Sequence, residues 1–312
     1  MVTGLKKAIQ FTLIGFAAGF LTMGSAFGAT TGSHYPFGGE GVLAASVPPP
    51  GFHYRLYNTL YNPDTLMDDN GDELNVGFDL DLFAQVHRFI HVTKTKIFGA
   101  DYLWDVIVPV IDKDIQIAAA GLDDSKTFSM GDIIIEPIAL AWHKPRFDAV
   151  AALALIAPTG EFEGTKPASP GLGYWSGMLT LGGTFFFDAK RTFSFSALTR
   201  TLVHTEQEDI KVTPGSEFVV EYGLGKSFIL NDTLEVRPGI SGSAYWQISD
   251  DSDDFGPIVA DQRKEAYAVG PEINFFWFPP RLLQVNLRVL REFNAKNTAE
   301  GSQFVLTLTQ SW

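Results

Sequence analysis

The chain contains no cysteine in 312 residues, so no disulfide supports it, no thiolate binds metal and no leading cysteine carries a lipid. Long apolar runs are almost as scarce. Ile9 to Leu21 is broken only by small or weakly polar residues, and nowhere else do about 18 apolar residues follow one another without a charge. Helical membrane spans are excluded. Basic residues are the third shortage: 23 Lys and Arg stand against 36 Asp and Glu, a formal net charge of −13. Nucleic acid is excluded as a partner, because such binding neutralises phosphates with Lys and Arg. No G-x-S-x-G nucleophile elbow occurs either.

What is present begins with Lys6 and Lys7 ahead of that apolar run. Ala26, Phe27 and Gly28 follow it and place small residues at the minus-three and minus-one positions of a cleavage site. Residues 1–28 therefore read as a secretory signal peptide, with the mature chain starting near Ala29. Removing two lysines and no acid takes the formal charge from −13 to −15. The mean hydropathy is close to zero, which suits a fold that averages a lipid face against a wet one. The 30 glycines and 26 phenylalanines fit curved strands and aromatic membrane boundaries.

Period-two alternation is the dominant pattern. At the C-terminal end Phe304, Leu306, Leu308 and Trp312 share one face, while Val305, Thr307, Thr309 and Ser311 share the other. Similar segments recur at about 51–62, 74–90, 102–118, 127–143, 147–157, 174–187, 192–206, 216–229, 233–249, 263–277, 282–293 and 301–312, so about twelve strands are expected. Links near 144–146, 188–191, 231–232 and 279–281 are short and aromatic-bounded. Those at 63–73, 158–173, 207–215 and 250–262 are long and hold the acidic clusters Asp68 to Glu73 and Asp250 to Asp254. Short and long connections alternate as in an antiparallel transmembrane β-barrel with tight periplasmic turns. Two places fit this less well. The link from His91 to Ala100 is long for such a turn, and Val106 to Ile111 is apolar on both faces and holds Pro109. The fold class is all-β. Residues 29–50 form an extended Gly/Pro-rich lead-in or partial plug, and residues 51–312 the barrel.

With alternate apolar residues facing lipid, Arg55, Asp79, Asp81, Glu136, Arg200, Glu221, Glu235, Arg237, Glu272 and Arg288 fall on the inner face. An Arg or Lys facing hydrocarbon would cost about 2–4 kcal/mol at the midplane. Their mixed sign fits mutual pairing or a solute path. Tyr57, Tyr61 and Tyr245 on that face offer aromatic contacts to a planar solute. Tyr35 and Phe37 would present rings from the lead-in. His53, His87 and His204 also fall on the polar face, as members of hydrogen-bond networks, and His91 and His143 lie near the short turns. Asp68 to Glu73 carries oxygens at alternate positions, but its glycine and its missing late glutamate depart from a calcium loop, so a solvated acidic loop is the better reading. No catalytic residue, metal or cofactor is implied. None of the six histidines is followed two residues later by serine, as outer-membrane phospholipases require.

Phe304, Leu306, Leu308 and Trp312 resemble the closing strand of bacterial outer-membrane barrels, which implies insertion by the barrel-assembly machinery. Tyr35-Pro36, Gly38, Glu40-Gly41 and Pro48-Pro49-Pro50-Gly51 open a series of matches. Gly131-Asp132, Pro137, Trp142-His143, Pro158-Thr159-Gly160, Gly173-Tyr174-Trp175, Gly215-Ser216-Glu217-Phe218, Gln247 with Asp250-Asp251, and Gly270-Pro271 follow in order. Together they resemble a proteobacterial outer-membrane family associated with the meta-pathway of phenol degradation. Ala45 departs from the glycine expected there. The resemblance implies a porin-like channel for small hydrophobic or aromatic solutes in the bacterial outer membrane, with lipid and lipopolysaccharide as neighbours. A non-transporting structural or surface protein is the alternative, and an outer-membrane hydrolase a more distant one.

Overall fold

The computed structural model describes residues 33–207, 209–253, 256–257, 262–278 and 282–312; the expected signal peptide lies outside them. Twelve strands make the wall: β1 (Gly51–Tyr61), β2 (Phe78–Ile97), β3 (Ala100–Ile117), β4 (Ile133–Lys144), β5 (Phe147–Ala157), β6 (Ser176–Phe186), β7 (Phe193–His204), β8 (Glu217–Lys226), β9 (Leu234–Gln247), β10 (Glu265–Trp277), β11 (Leu283–Lys296) and β12 (Ser302–Ser311). Each is antiparallel to the next, and β12 returns to β1 in the register Tyr57↔Thr307. The sheet closes on itself and so shows hydrocarbon no open edge of unpaired N–H and C=O groups.

The alternation in sequence becomes two faces. On β12 Phe304 and Trp312 are exposed, Leu306 and Leu308 are half-buried, and Gln303, Val305, Thr307 and Thr309 are buried inside. Phe89, Leu153, Phe185, Ile240 and Val289 are exposed on the same outer face. A soluble sandwich would bury such residues; a barrel in lipid presents them to the bilayer.

Two expectations about connections are corrected. The link from His91 to Ala100 is a two-residue hairpin. β2 continues to Ile97, and Phe98 and Gly99, both at positive φ, make the turn. A register shift between Val92 and Lys96 marks an irregularity that interrupts alternation there. The segment 127–143 is not one strand. Leu122–Met130 pairs with the end of β3 nearest the long loops, while β4 pairs with the other half, from Asp101↔Ala141 to Ile107↔Ile134. The change of partner falls at Pro109. Its carbonyl accepts the Gly131 N–H at 2.9 Å, but it has no N–H to return, so the ladder on that side of β3 cannot run through it, while pairing with β2 continues at Val86↔Pro109.

One end of the barrel carries short turns and the other long loops. At the long-loop end Tyr61, Leu80, Leu82, Ile115 and Ile117 point inward and pack with Leu66 and Ala168 as an apolar core inside the barrel. At the short-turn end Asp188 organises residues 187–192. Its carboxylate accepts the Thr192 N–H at 3.1 Å, the Thr192 hydroxyl at 2.9 Å and the Phe193 N–H at 2.8 Å. These bonds, the Thr192 N–H foremost, hold its carboxyl at about 2. A depressed carboxyl stabilises the fold above the ordinary Asp value of 3.8 and ceases to do so as pH falls through about 2. The unfolding midpoints of wild type and Asp188→Ala should therefore differ at pH 6, draw together as pH falls from 3.8 and converge below about 2. A gap that stays constant over this range would contradict the capping role.

Candidate functional site

Residues 33–50 run lengthwise through the barrel. Ser33 and His34 sit at the long-loop end against Glu217 and Ser176. Ser46 reaches Asp148 near the short turns at 2.8 Å, and the Pro49 carbonyl meets His53 Nε2 at 2.9 Å just before β1 begins. This stretch joins no strand of the wall. Its backbone is instead satisfied by inward side chains. Glu221 accepts the Glu40 N–H at 2.8 Å and Glu272 the Val42 N–H at 3.0 Å. Arg288 donates to the Gly38 and Gly39 carbonyls at 2.9 and 3.0 Å, and Gln303 to the Phe37 carbonyl at 3.2 Å. Two glycines permit the approach. A Cβ on Gly41 would lie 2.1 Å from a Glu272 oxygen, and one on Gly223 of β8 would lie 2.4 Å from the Gly41 carbonyl carbon.

Midway along the lumen the charges form a connected cluster. Glu40, from the lead-in, accepts the Tyr57 hydroxyl at 2.7 Å, lies 3.3 Å from Arg55 Nη1 and is 3.8 Å from Arg88. Arg88 also reaches Asp105 at 2.6 Å and Glu136 at 3.3 Å. Arg200 pairs with Glu221 and stacks on the Tyr35 ring at 3.9 Å, while the Tyr35 hydroxyl donates to Glu221 at 2.6 Å. Above and below lie two small cavities of about 70 and 60 Å³. Glu40, Arg88, Glu136 and Arg200 line both and so form the partition between them. Phe37, Ile107, Ile134, Met178 and Val305 make the first cavity largely apolar.

A second network anchors the start of the lead-in. His34 Nε2 is 2.8 Å from Asp132 and its Nδ1 is 2.6 Å from Ser176 Oγ, which is in turn 2.7 Å from His204 Nδ1. The contacts run in the order of a Ser-His-Asp relay. Ser176 is 1% exposed, however, and Asp132 is also taken up by the Gly160 and Leu172 N–H groups. In this state the arrangement ties the lead-in to three parts of the wall and its loops. Glu217 accepts Ser33 and the Tyr245 hydroxyl beside it.

The inward set named from sequence is thus distributed. Arg55, Tyr57, Glu136, Arg200 and Glu221 gather around Glu40 and Tyr35, while Glu272 and Arg288 hold the backbone near Gly38 and Val42. Tyr245 faces Phe37, with ring centres 6.1 Å apart. Tyr61 bonds Glu292 at 2.8 Å, away from the cluster. Arg237 pairs with Glu235 and reaches Ser194 and the Arg191 carbonyl near the short turns. Asp79 and Asp81 are corrected: both are exposed on the outer face of β2, between inward Phe78, Leu80 and Leu82. The reason is local. Near the long loops the inside of the barrel is a dry core, so apolar side chains turn inward and acids outward. His87 is corrected with them; it bonds the outward Tyr54 hydroxyl at 2.6 Å, and its neighbour Arg88 enters the lumen. Sequence reasoning missed Arg88, Asp105 and the role of Glu40. The inverted face of β2 hid the first, the doubly apolar stretch beside Pro109 the second, and the absence of periodicity in the lead-in the third.

A family sequence model described as "Putative MetA-pathway of phenol degradation" matches residues 64–308. The chain belongs to this family. Among solved structures, the COG4313 outer membrane channel from Pseudomonas putida F1 is similar in fold, with TM-score 0.72 at 15% identity over 86% of this chain and 97% of that one. The beta domain of the Bordetella autotransporter BrkA gives 0.50 at 8% identity over 85% and 100%. No curated protein matches the chain. The family member described here is a closed, twelve-stranded antiparallel β-barrel, the fold of that channel.

The Arg200–Glu221 pair offers a test of how the lumen is held. Removing one partner of a buried pair strands the other charge, at a cost of about 3–5 kcal/mol. Arg200→Met should lose about that much in denaturant unfolding, and Glu221→Gln added to it should recover a large part. Additive losses would show that the two residues act independently.

Proposed function

We propose that this family member is a passive outer-membrane channel for small hydrophobic or aromatic solutes, and that residues 29–50 act as its plug. One observation carries the reading: the lumen is filled by a segment that belongs to no strand and is held by side chains alone. Such a segment can leave without breaking the wall. The larger of its two cavities, about 70 Å³, is smaller than the ~150 Å³ apolar cavity known to take up benzene. An aromatic ring therefore passes only after the segment shifts. Tyr35 and Phe37 on the segment, and Tyr57 and Tyr245 on the wall, are the rings it would meet. The likeness to a solved outer membrane channel and the family's association with phenol degradation support the same solute class.

The surroundings follow from the surface. The outer apolar face lies in lipid, the short turns face the periplasm, and the acidic long loops meet the lipopolysaccharide leaflet. Phe304, Leu306, Leu308 and Trp312 serve as the assembly signal read by the barrel-assembly machinery. The chemistry is binding and release, with no catalytic step. A non-transporting structural barrel is the second reading, favoured by the pairing of Arg55, Arg88 and Arg200 with carboxylates across the lumen.

Planar-bilayer conductance separates the two. A form lacking residues 33–47 should keep heat-modifiable gel mobility and conduct at least several-fold more than the full chain, because the lumen loses its occupant. No conductance from either form, with equal cellular uptake of a labelled aromatic, would favour the structural reading.

A further inference from the structure

The partition between the two cavities carries information about the solute. Three guanidinium groups lie at it: Arg88 and Arg200, which line both cavities and have wall carboxylates, Asp105 and Glu136 for the first and Glu221 for the second, and Arg55, which lines only the smaller cavity. Arg55 differs. Among the described residues its one ion-pair partner is Glu40, and its remaining contacts are the neutral groups of Thr309, Tyr57 and Gln284 at 3.0 to 3.5 Å. Glu40 comes from the lead-in, so withdrawal of the segment leaves Arg55 in the lumen beside the Tyr57 hydroxyl with no counter-charge. A guanidinium and a hydroxyl aimed at one point, with Arg88 3.8 Å from the same carboxylate, make a receptor for a carboxylate. The cavity beside Glu40 and Tyr57 is lined on the barrel wall by the apolar Ile107, Ile134, Met178 and Val305, which stay when the segment leaves.

We propose that Glu40 stands in for the carboxylate of the transported solute, which is an apolar or aromatic monocarboxylate. The solute's carboxylate replaces Glu40 on Arg55 and Tyr57 while its apolar body lies in the adjoining cavity. The exchange keeps Arg55 paired throughout, so its charge is not stranded while the segment moves. Binding and opening are then one event: the ligand that fits is the one that releases the plug. This inference rests on the channel reading above and narrows its solute class.

Phenylacetate, phenylacetamide and acetate separate the requirements, since the second keeps the ring without the charge and the third the charge without the ring. Conductance of the full wild-type chain in planar bilayers should rise saturably with phenylacetate. The half-maximal concentration should be at least about tenfold below that of either analogue, the ratio expected when a charge-assisted contact is lost. Glu40→Gln should conduct without ligand, and its conductance should not rise further with any of the three. Arg55→Gln should lose the preference for phenylacetate over phenylacetamide, with heat-modifiable mobility confirming that each variant folds. Equal responses of the wild type to phenylacetate and phenylacetamide would overturn the inference, while conductance of the form lacking residues 33–47 would leave the channel reading standing. No conductance from any form would remove both.

Discussion

The interior of this barrel depends on satisfying the backbone of a single chain that has no strand partner. A buried N–H or C=O left unpaired costs about 1–3 kcal/mol, and the lead-in brings a run of them into the lumen. The wall answers with side chains. Glu221 and Glu272 take the N–H groups, and Arg288 and Gln303 the carbonyls. Each of these residues must then be charged or strongly polar, inward and at the right height. Glycine must stand where the two backbones touch, as at Gly41 and Gly223.

The same constraint explains the mixture of charges. Arginines that bind carbonyls, and acids that bind N–H groups, need counter-charges of their own in a confined interior. Glu272 lies 3.9 Å from Arg288 and is bonded by Asn274 and Asn286. Arg200 is balanced by Glu221, and Tyr35 covers that pair with its ring and hydroxyl. Buried pairs of this kind add little net stability over apolar packing. What they confer is position: the segment fits in one register and along one path. A hydrophobic filling would hold the segment less specifically.

Much of the wall is legible in the sequence because a barrel strand carries its own pattern. Regular strands such as β8, β10 and β12 alternate without interruption, so the inner positions of Glu221, Glu272 and Thr307 follow from period two. Legibility fails where the environment changes along a strand. β2 leaves the lumen for a dry core near the long loops, and the assumption of a wet interior puts Asp79 and Asp81 on the wrong face. It fails again at Pro109, where one strand changes partner in mid-course. The candidate site is harder to read for a different reason. Glu40 lies in a stretch without periodicity, and its meaning comes from Arg55, Tyr57 and Arg88, which belong to two wall strands. Arg55 and Arg88 face each other across β1 and β2, and the return of the lead-in through the lumen brings Glu40 to them.

If solute passes only when the lead-in moves, a reversible lock on that segment must stop passage. The Ala45 Cβ is 3.1 Å from where a Cβ on Gly182 of β6 would lie, slightly inside the ~3.5–4.5 Å separation of a disulfide, and the chain has no other cysteine to interfere. Uptake of a labelled aromatic is measured in cells carrying Ala45→Cys with Gly182→Cys, oxidised and then reduced. The oxidised, fully cross-linked form should lose uptake, and reduction should restore it. Undiminished uptake through the cross-linked form would contradict passage by movement of the lead-in.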